Sequence, residues 1–115
     1  MKIDKIESML IGGGFVVRIT TDTGLTGIGQ TACWGYPTAV ESIVDVYKKY
    51  LIGQDPLRIE HHWQHVYRSA FFRGGNVLMS ALSGIDQALW DIAGKHLGVP
   101  AFQLMGGPVR DRIRV

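Results

Sequence analysis

The chain has 115 residues, enough for one small domain and too few for a complete (β/α)₈ barrel, which needs about 200 or more. Hydrophobic residues make up 46% and charged residues 19%, which favours a packed core over disorder. Twelve basic residues against ten acidic ones leave a net charge of +2, and only Arg110, Arg112 and Arg114 are locally dense, so a nucleic-acid surface is not expected.

The first third alternates at period two. Ile3, Ile6 and Met9 to Ile11 predict a strand, broken by Gly12, Gly13 and Gly14. Phe15 to Thr21 is rich in β-branched residues and predicts a second strand. Asp22, Thr23 and Gly24 supply turn chemistry, and Leu25 to Cys33 predicts a third strand. Gly27 and Gly29 alternate inside it, a pattern that marks a bulge or a second backbone packed close by. Three strands on short turns make an antiparallel meander.

The period then becomes helical. Pro37 suits a first helical turn, and Val40, Ile43, Val44, Tyr47 and Leu51 fall on one face, closed by Gly53. The next helix is expected to start with Asp55 as N-cap and Pro56 at the first position, with Ile59, Trp63, Val66, Tyr67 and Ala70 as its apolar stripe. Arg73 to Gly75 breaks the pattern and Asn76 is the expected cap of the third and longest helix. That helix carries Leu78, Ala81, Leu82, Ile85, Leu89, Ile92 and Ala93 to about Leu97. Gly98 and Pro100 end it. After a short turn from Ala101 to Met105, Arg112 to Val115 reads as the start of a new strand. The predicted class is α+β: a three-stranded antiparallel meander followed by a layer of three to four helices.

Cys33 is the only cysteine, which excludes an intrachain disulfide and points to a reducing, cytoplasmic setting. The start, MKIDKIESML, has no apolar core of a signal peptide, and no run reaches the roughly 18 apolar residues of a membrane span, so no membrane partner is expected.

The glycine triplet does not fit a dinucleotide fingerprint, which needs G-x-G-x-x-G opening a helix. His61 and His65 have the i, i+4 spacing of metal ligands, but no third ligand is evident and both fall about 180° from the Trp63/Val66 stripe. A solvated helix face accounts for them. Asp86 and Asp91 point about 140° apart and cannot share a substrate; Asp86 flanks the apolar stripe and is expected to meet a backbone amide or a basic partner. Ser80 and Ser83 have no His/Asp arrangement around them. Trp34, Tyr36 and Pro37 sit in a loop, where aromatics serve either packing or recognition; residue chemistry alone leaves both open.

The stretch Ser80-Ala-Leu-Ser-Gly-Ile-Asp-Gln-Ala-Leu-Trp-Asp-Ile-Ala-Gly-Lys95, then Leu97-Gly98-Val99-Pro100 and Leu104-Met105-Gly106-Gly107, resembles the N-terminal domain of the enolase superfamily, mandelate racemase/muconate lactonizing enzyme subgroup. Thr21 to Gly24 before Gly27-x-Gly29, Tyr50 to Pro56 and Phe72 to Gly75 agree, and the tone is nearest to the galactonate dehydratase-like acid-sugar dehydratases.

The resemblance implies a capping domain over residues 1–110 and, from 111 to 115, the entry into a C-terminal barrel. The barrel would carry the Mg²⁺ ligands and the acid/base residues, so no catalytic residue, metal ligand or cofactor is expected within these 115 residues. The cap would set specificity through two loops, near Leu10 to Phe15 and near Cys33 to Pro37. That makes Trp34, Tyr36, Gly13 and Gly14 the expected substrate-binding residues, the glycines through backbone amides alone. The implied substrate is an acid sugar and the implied assembly a homo-oligomer. A racemase or cycloisomerase with the same cap, or a free-standing interaction module, are the alternatives. Phe71, Phe72, Val77 and Phe102 are expected to supply the apolar surface that meets the barrel.

Overall fold

Three strands, β1 (Ile3–Ile11), β2 (Gly14–Thr21) and β3 (Thr26–Thr31), pair antiparallel in the order β1-β2-β3. This is a computed structural model and it describes every residue from Met1 to Val115. The β1–β2 turn needs positive φ at both central positions, and Gly12 and Gly13 supply it at 55° and 84°. One face of the sheet is apolar and buried: Ile6, Phe15, Val17 and Ile19 point toward the helices. The other face carries Glu7 opposite Arg18, whose Nε and Nη2 donate to the same carboxylate oxygen at 3.0 and 2.7 Å.

The helices follow as α1 (Pro37–Leu51), α2 (Ile59–Arg68), α3 (Asn76–Leu97) and the short α4 (Ala101–Leu104). Pro37 opens α1, as expected, and Val40, Val44 and Leu51 are its buried face. The α+β architecture predicted above is the one observed.

Four local expectations need correction. The segment from Asp55 to Arg58 is a turn, not the start of α2: Asp55 Oδ1 accepts from the Leu57 amide at 3.0 Å and its carbonyl from Arg58 at 3.2 Å. The aspartate is spent on an Asx turn, and the helix begins only at Ile59. The buried positions of α2 are Ile59, His62 and Val66; Trp63 and Tyr67 are half-buried and stacked on each other, and Ala70 lies exposed beyond the helix end. Asn76 is the first residue of α3 rather than its cap, because Gly75, at φ 87°, takes the cap position without a side chain. Arg112–Val115 is exposed and forms no strand, since no strand of this chain lies alongside to take its backbone hydrogen bonds.

The close contact anticipated at Gly27 and Gly29 is the seam between β3 and α3. A Cβ on Gly29 would run into the carbonyl of Gly84, and one on Gly27 into the carbonyl of Ala88 and, at 2.7 Å, the side chain of Ile92. The helix in turn satisfies the outer edge of β3. Asp91 Oδ2 accepts from the Ile28 amide at 2.9 Å, Gln87 Oε1 from the Gln30 amide at 3.1 Å, and Lys95 Nζ donates at 2.7 Å to both the Thr26 carbonyl and Asp91. An edge strand that would otherwise present free amides is thus covered by a helix.

His62 is buried and fully satisfied. Its Nε2–H donates to the Asp55 carbonyl at 2.7 Å, so Nδ1 accepts from the Tyr50 hydroxyl at 3.0 Å. Asp86 corrects another expectation: it meets neither a backbone amide nor a cation. Burial raises its pKa, Glu60 across on α2 adds to the rise, and the Trp90 side chain one turn on offsets part of it.

Two stability outcomes follow from this packing. Gly29→Ala should destabilise the chain in urea titrations by about 1–3 kcal/mol or more, because the neighbouring atom is backbone and cannot rotate away. Asp91→Ala should cost about 0.5–1.5 kcal/mol for its lost hydrogen bonds. A Gly29→Ala variant as stable as the parent would refute the close packing at this seam.

The second outcome concerns pH. Burial pushes His62 below the usual histidine value of 6.5, partly countered by the hydrogen bond to Asp55. The unfolded chain therefore binds the proton first, and the stability His62 contributes is full above 6.5 and lost as pH falls through the window below it. Asp86 works the other way, in the carboxylate range above 3.8, where its contribution is lost as pH rises. Thermal stability should thus fall from about pH 7.5 to about pH 5.5, and His62→Gln, which can keep both hydrogen bonds without titrating, should flatten that slope. An unchanged slope in the variant would count against the buried neutral imidazole.

Candidate functional site

Register decides which loops meet. Ile11 pairs with Gly14 across the β1–β2 turn, and Phe15 with Thr31, the last residue of β3. The turn at Gly12 and Gly13 and the loop after β3 therefore share one end of the sheet. The helix α3 runs antiparallel to β3, with Gly84 over Gly29 and Ala88 over Gly27, so its N-terminus reaches the same end.

Between the loop after β3 and the first two turns of α3 lies an open depression of about 720 Å³. Its rim includes Trp34 and Tyr36, and its wall includes Thr31, Asn76, Ser80 and Ser83. No charged side chain lines it. A turn in which the Tyr36 amide donates to the Cys33 carbonyl at 3.0 Å, with Gly35 at φ 87°, throws Trp34 outward. Trp34 is 86% exposed and Tyr36 64%. Large aromatic rings left in water on a firm turn are poor packing and good recognition elements.

Gly13 and Gly14 occupy the same end of the sheet but do not line the depression. Gly13 is exposed at the tip, and Gly14 lies against the Gln30 side chain. His61 and His65 are both exposed on α2, their rings 6.4 Å apart, and the His65 ring stacks on Tyr50 at 3.8 Å. No three His, Cys, Asp or Glu side chains converge anywhere to hold a metal ion. Of the apolar surface expected to dock, Phe71 and Phe72 are 94% and 82% exposed and Phe102 is exposed, whereas Val77 is half-buried in the depression wall.

The sequence reading missed Thr31, Asn76, Ser80 and Ser83 as members of one site. A signal existed for three of them: Asn76, Ser80, Ser83, Gln87, Asp91 and Lys95 recur every three or four residues as a polar stripe opposite the core face of α3.

Fold and site define a meander-plus-helices capping domain, and comparison gives its family. Residues 12–106 match the mandelate racemase / muconate lactonizing enzyme, N-terminal domain, and the chain belongs to that family. It is similar to proteins named D-galactonate dehydratase from Verminephrobacter eiseniae, at 57% identity over 99% of this chain, and from Pectobacterium atrosepticum, at 51% over 99%. The chain spans 30% of the length of each. Among solved structures it is similar to an enolase and candidate galactarate dehydratase from Agrobacterium radiobacter, solved with Na and L-malate bound. That match has a TM-score of 0.93 at 36% identity and covers all of this chain and 30% of the other. A candidate dehydratase from Mesorhizobium loti gives 0.93 at 40%, covering all of this chain and 32% of the other. No helix of the chain is long and apolar enough to cross a membrane.

The adjoining Phe71 and Phe72, exposed side by side, form an apolar patch of the kind that drives association. The 115-residue chain on its own should self-associate as concentration rises, and a Phe71→Ser/Phe72→Ser double variant should shift it toward monomer in sedimentation velocity. A monomer at every concentration would show that the patch is too small to matter.

Proposed function

We propose that this domain closes over the active site of a dehydratase acting on an acyclic sugar acid of the D-galactonate type, and that the loop from Ala32 to Tyr36 selects the substrate. One observation carries the reading: an uncharged, aromatic-rimmed depression stands at the open end of a domain whose relatives, at 57% and 51% identity, bear the name D-galactonate dehydratase. Residues 1–110 form the cap, and 111–115 lead toward a barrel domain of the complete protein. That protein works in the cytoplasm as a homo-oligomer.

The Mg²⁺ that such a reaction implies does not fit the residues of this domain, because no three ligating side chains converge in it. The cap's own chemistry is binding, orientation and exclusion of water. Trp34 can lie flat on the C–H face of a carbon chain, and the Tyr36 hydroxyl can exchange hydrogen bonds with substrate hydroxyls. The Gly13 and Gly14 amides offer backbone donors from the neighbouring turn.

In the complete enzyme, Trp34→Ala and Tyr36→Phe should lower kcat/KM on D-galactonate by an amount equivalent to about 1–3 kcal/mol, as for a group lost from a closed site. His61→Ala and His65→Ala should stay within about twofold, as surface changes do. The reverse order would place the functional face on the α2 side of the domain and refute the reading.

A further inference from the structure

The polar ladder between β3 and α3 stops one rung short. Outward amides alternate along β3: Ile28 donates to Asp91 and Gln30 to Gln87. The next in that alternation is Ala32, and the next residue down the helix stripe is Ser83. Serine is too short to bridge the gap, and its hydroxyl accepts from Gln87 Nε2 at 3.1 Å instead. The depression opens where the ladder ends, and Ala32 is among the residues that line it.

The wall of the depression is rich in unspent hydrogen-bonding groups. Thr31 is only 8% exposed, yet no hydrogen bond within the domain engages its hydroxyl. No fully sealed polar side-chain atom lacks a partner, so this hydroxyl keeps access to solvent, and Thr31 lines the depression. Ser80, half-buried one turn into α3, is likewise free. Gly75 caps α3 without a side chain, and the first backbone bond of the helix runs from Met79 to Gly75, so the amides of Asn76, Val77 and Leu78 take no cap.

We infer that this depression is a neutral subsite for the hydroxyl-bearing end of an acyclic polyhydroxy acid, with Thr31 and Ser80 as specificity-determining residues. Each hydroxyl of the wall can both donate and accept, which matches a substrate hydroxyl. The carboxylate end carries a full charge, which no side chain here offsets, and so belongs elsewhere. An empty, nearly buried Thr31 hydroxyl is the group that a substrate hydroxyl would satisfy and an analogue lacking it would leave unpaired.

The inference rests on the sugar-acid reading above, and the test separates the two. Wild-type complete enzyme, Thr31→Val and Ser80→Ala are assayed on D-galactonate and on its 6-deoxy analogue, which lacks the hydroxyl furthest from the carboxylate. Wild type should prefer D-galactonate. Each variant should lose about fivefold to tenfold in kcat/KM on D-galactonate and stay within about twofold on the analogue, so the preference shrinks. An active wild type whose preference survives both substitutions, or variants that fall equally on both substrates, overturns the subsite and leaves the dehydratase reading standing. A wild type inactive on both acids overturns the dehydratase reading and the subsite with it. Should Thr31→Val fail to fold, Ser80→Ala alone decides.

Discussion

The domain depends on how closely α3 can lie on β3. A strand at the edge of a three-stranded sheet has few ways to be covered, and here a 22-residue helix does it. Two glycines on the strand and Gly84 on the helix remove the Cβ atoms that would hold the backbones apart. Only at that distance can side chains as short as Asp91 and Gln87 reach strand amides. The apolar packing and the polar clasp are therefore one device, and neither works without the other.

That same device shapes the end that carries the depression. The clasp needs a side chain longer than serine at every fourth helix position. Where the stripe changes from Gln87 to Ser83 and Ser80, the clasp lapses, and helix and loop part to leave an uncharged hollow. The seam below it is closely packed and the loop above it rests on a single turn at Cys33 to Tyr36. A specificity surface gains from this division, because loop residues can vary without disturbing the packing that positions them.

The strands, the three long helices and their terminators were legible because they rest on local rules: alternation, helical period, and Gly or Pro at the breaks. Even the close approach at Gly27 and Gly29 could be anticipated, since glycine has little other use in a strand interior. The errors arose where a residue had two local uses. Asp55 can cap a helix or close an Asx turn, and the turn won. His62 stands outside the predicted apolar stripe of α2, yet it is buried, and Tyr50 and the Asp55 carbonyl satisfy both ring nitrogens. Those partners lie 12 and 7 residues away, beyond anything helical periodicity can report. Trp34 and Tyr36 were legible as exposed loop aromatics, but Thr31 was not legible as part of their site. A threonine ending a strand is unremarked until register and helix direction put it beneath them.

Charge is distributed with the same logic. The outer sheet face holds Lys5, Glu7 and Arg18, α2 carries Glu60 and Arg68, and the tail holds Arg110, Arg112 and Arg114. The depression has none of it. A neutral hollow rewards a ligand for hydroxyl groups and not for charge, since an unmatched carboxylate there would lose its hydration without recompense. On the reading proposed above, a cap built this way discriminates among acids by what is attached to the carboxylate rather than by the carboxylate itself, and leaves the common part of the substrate to whatever it closes upon.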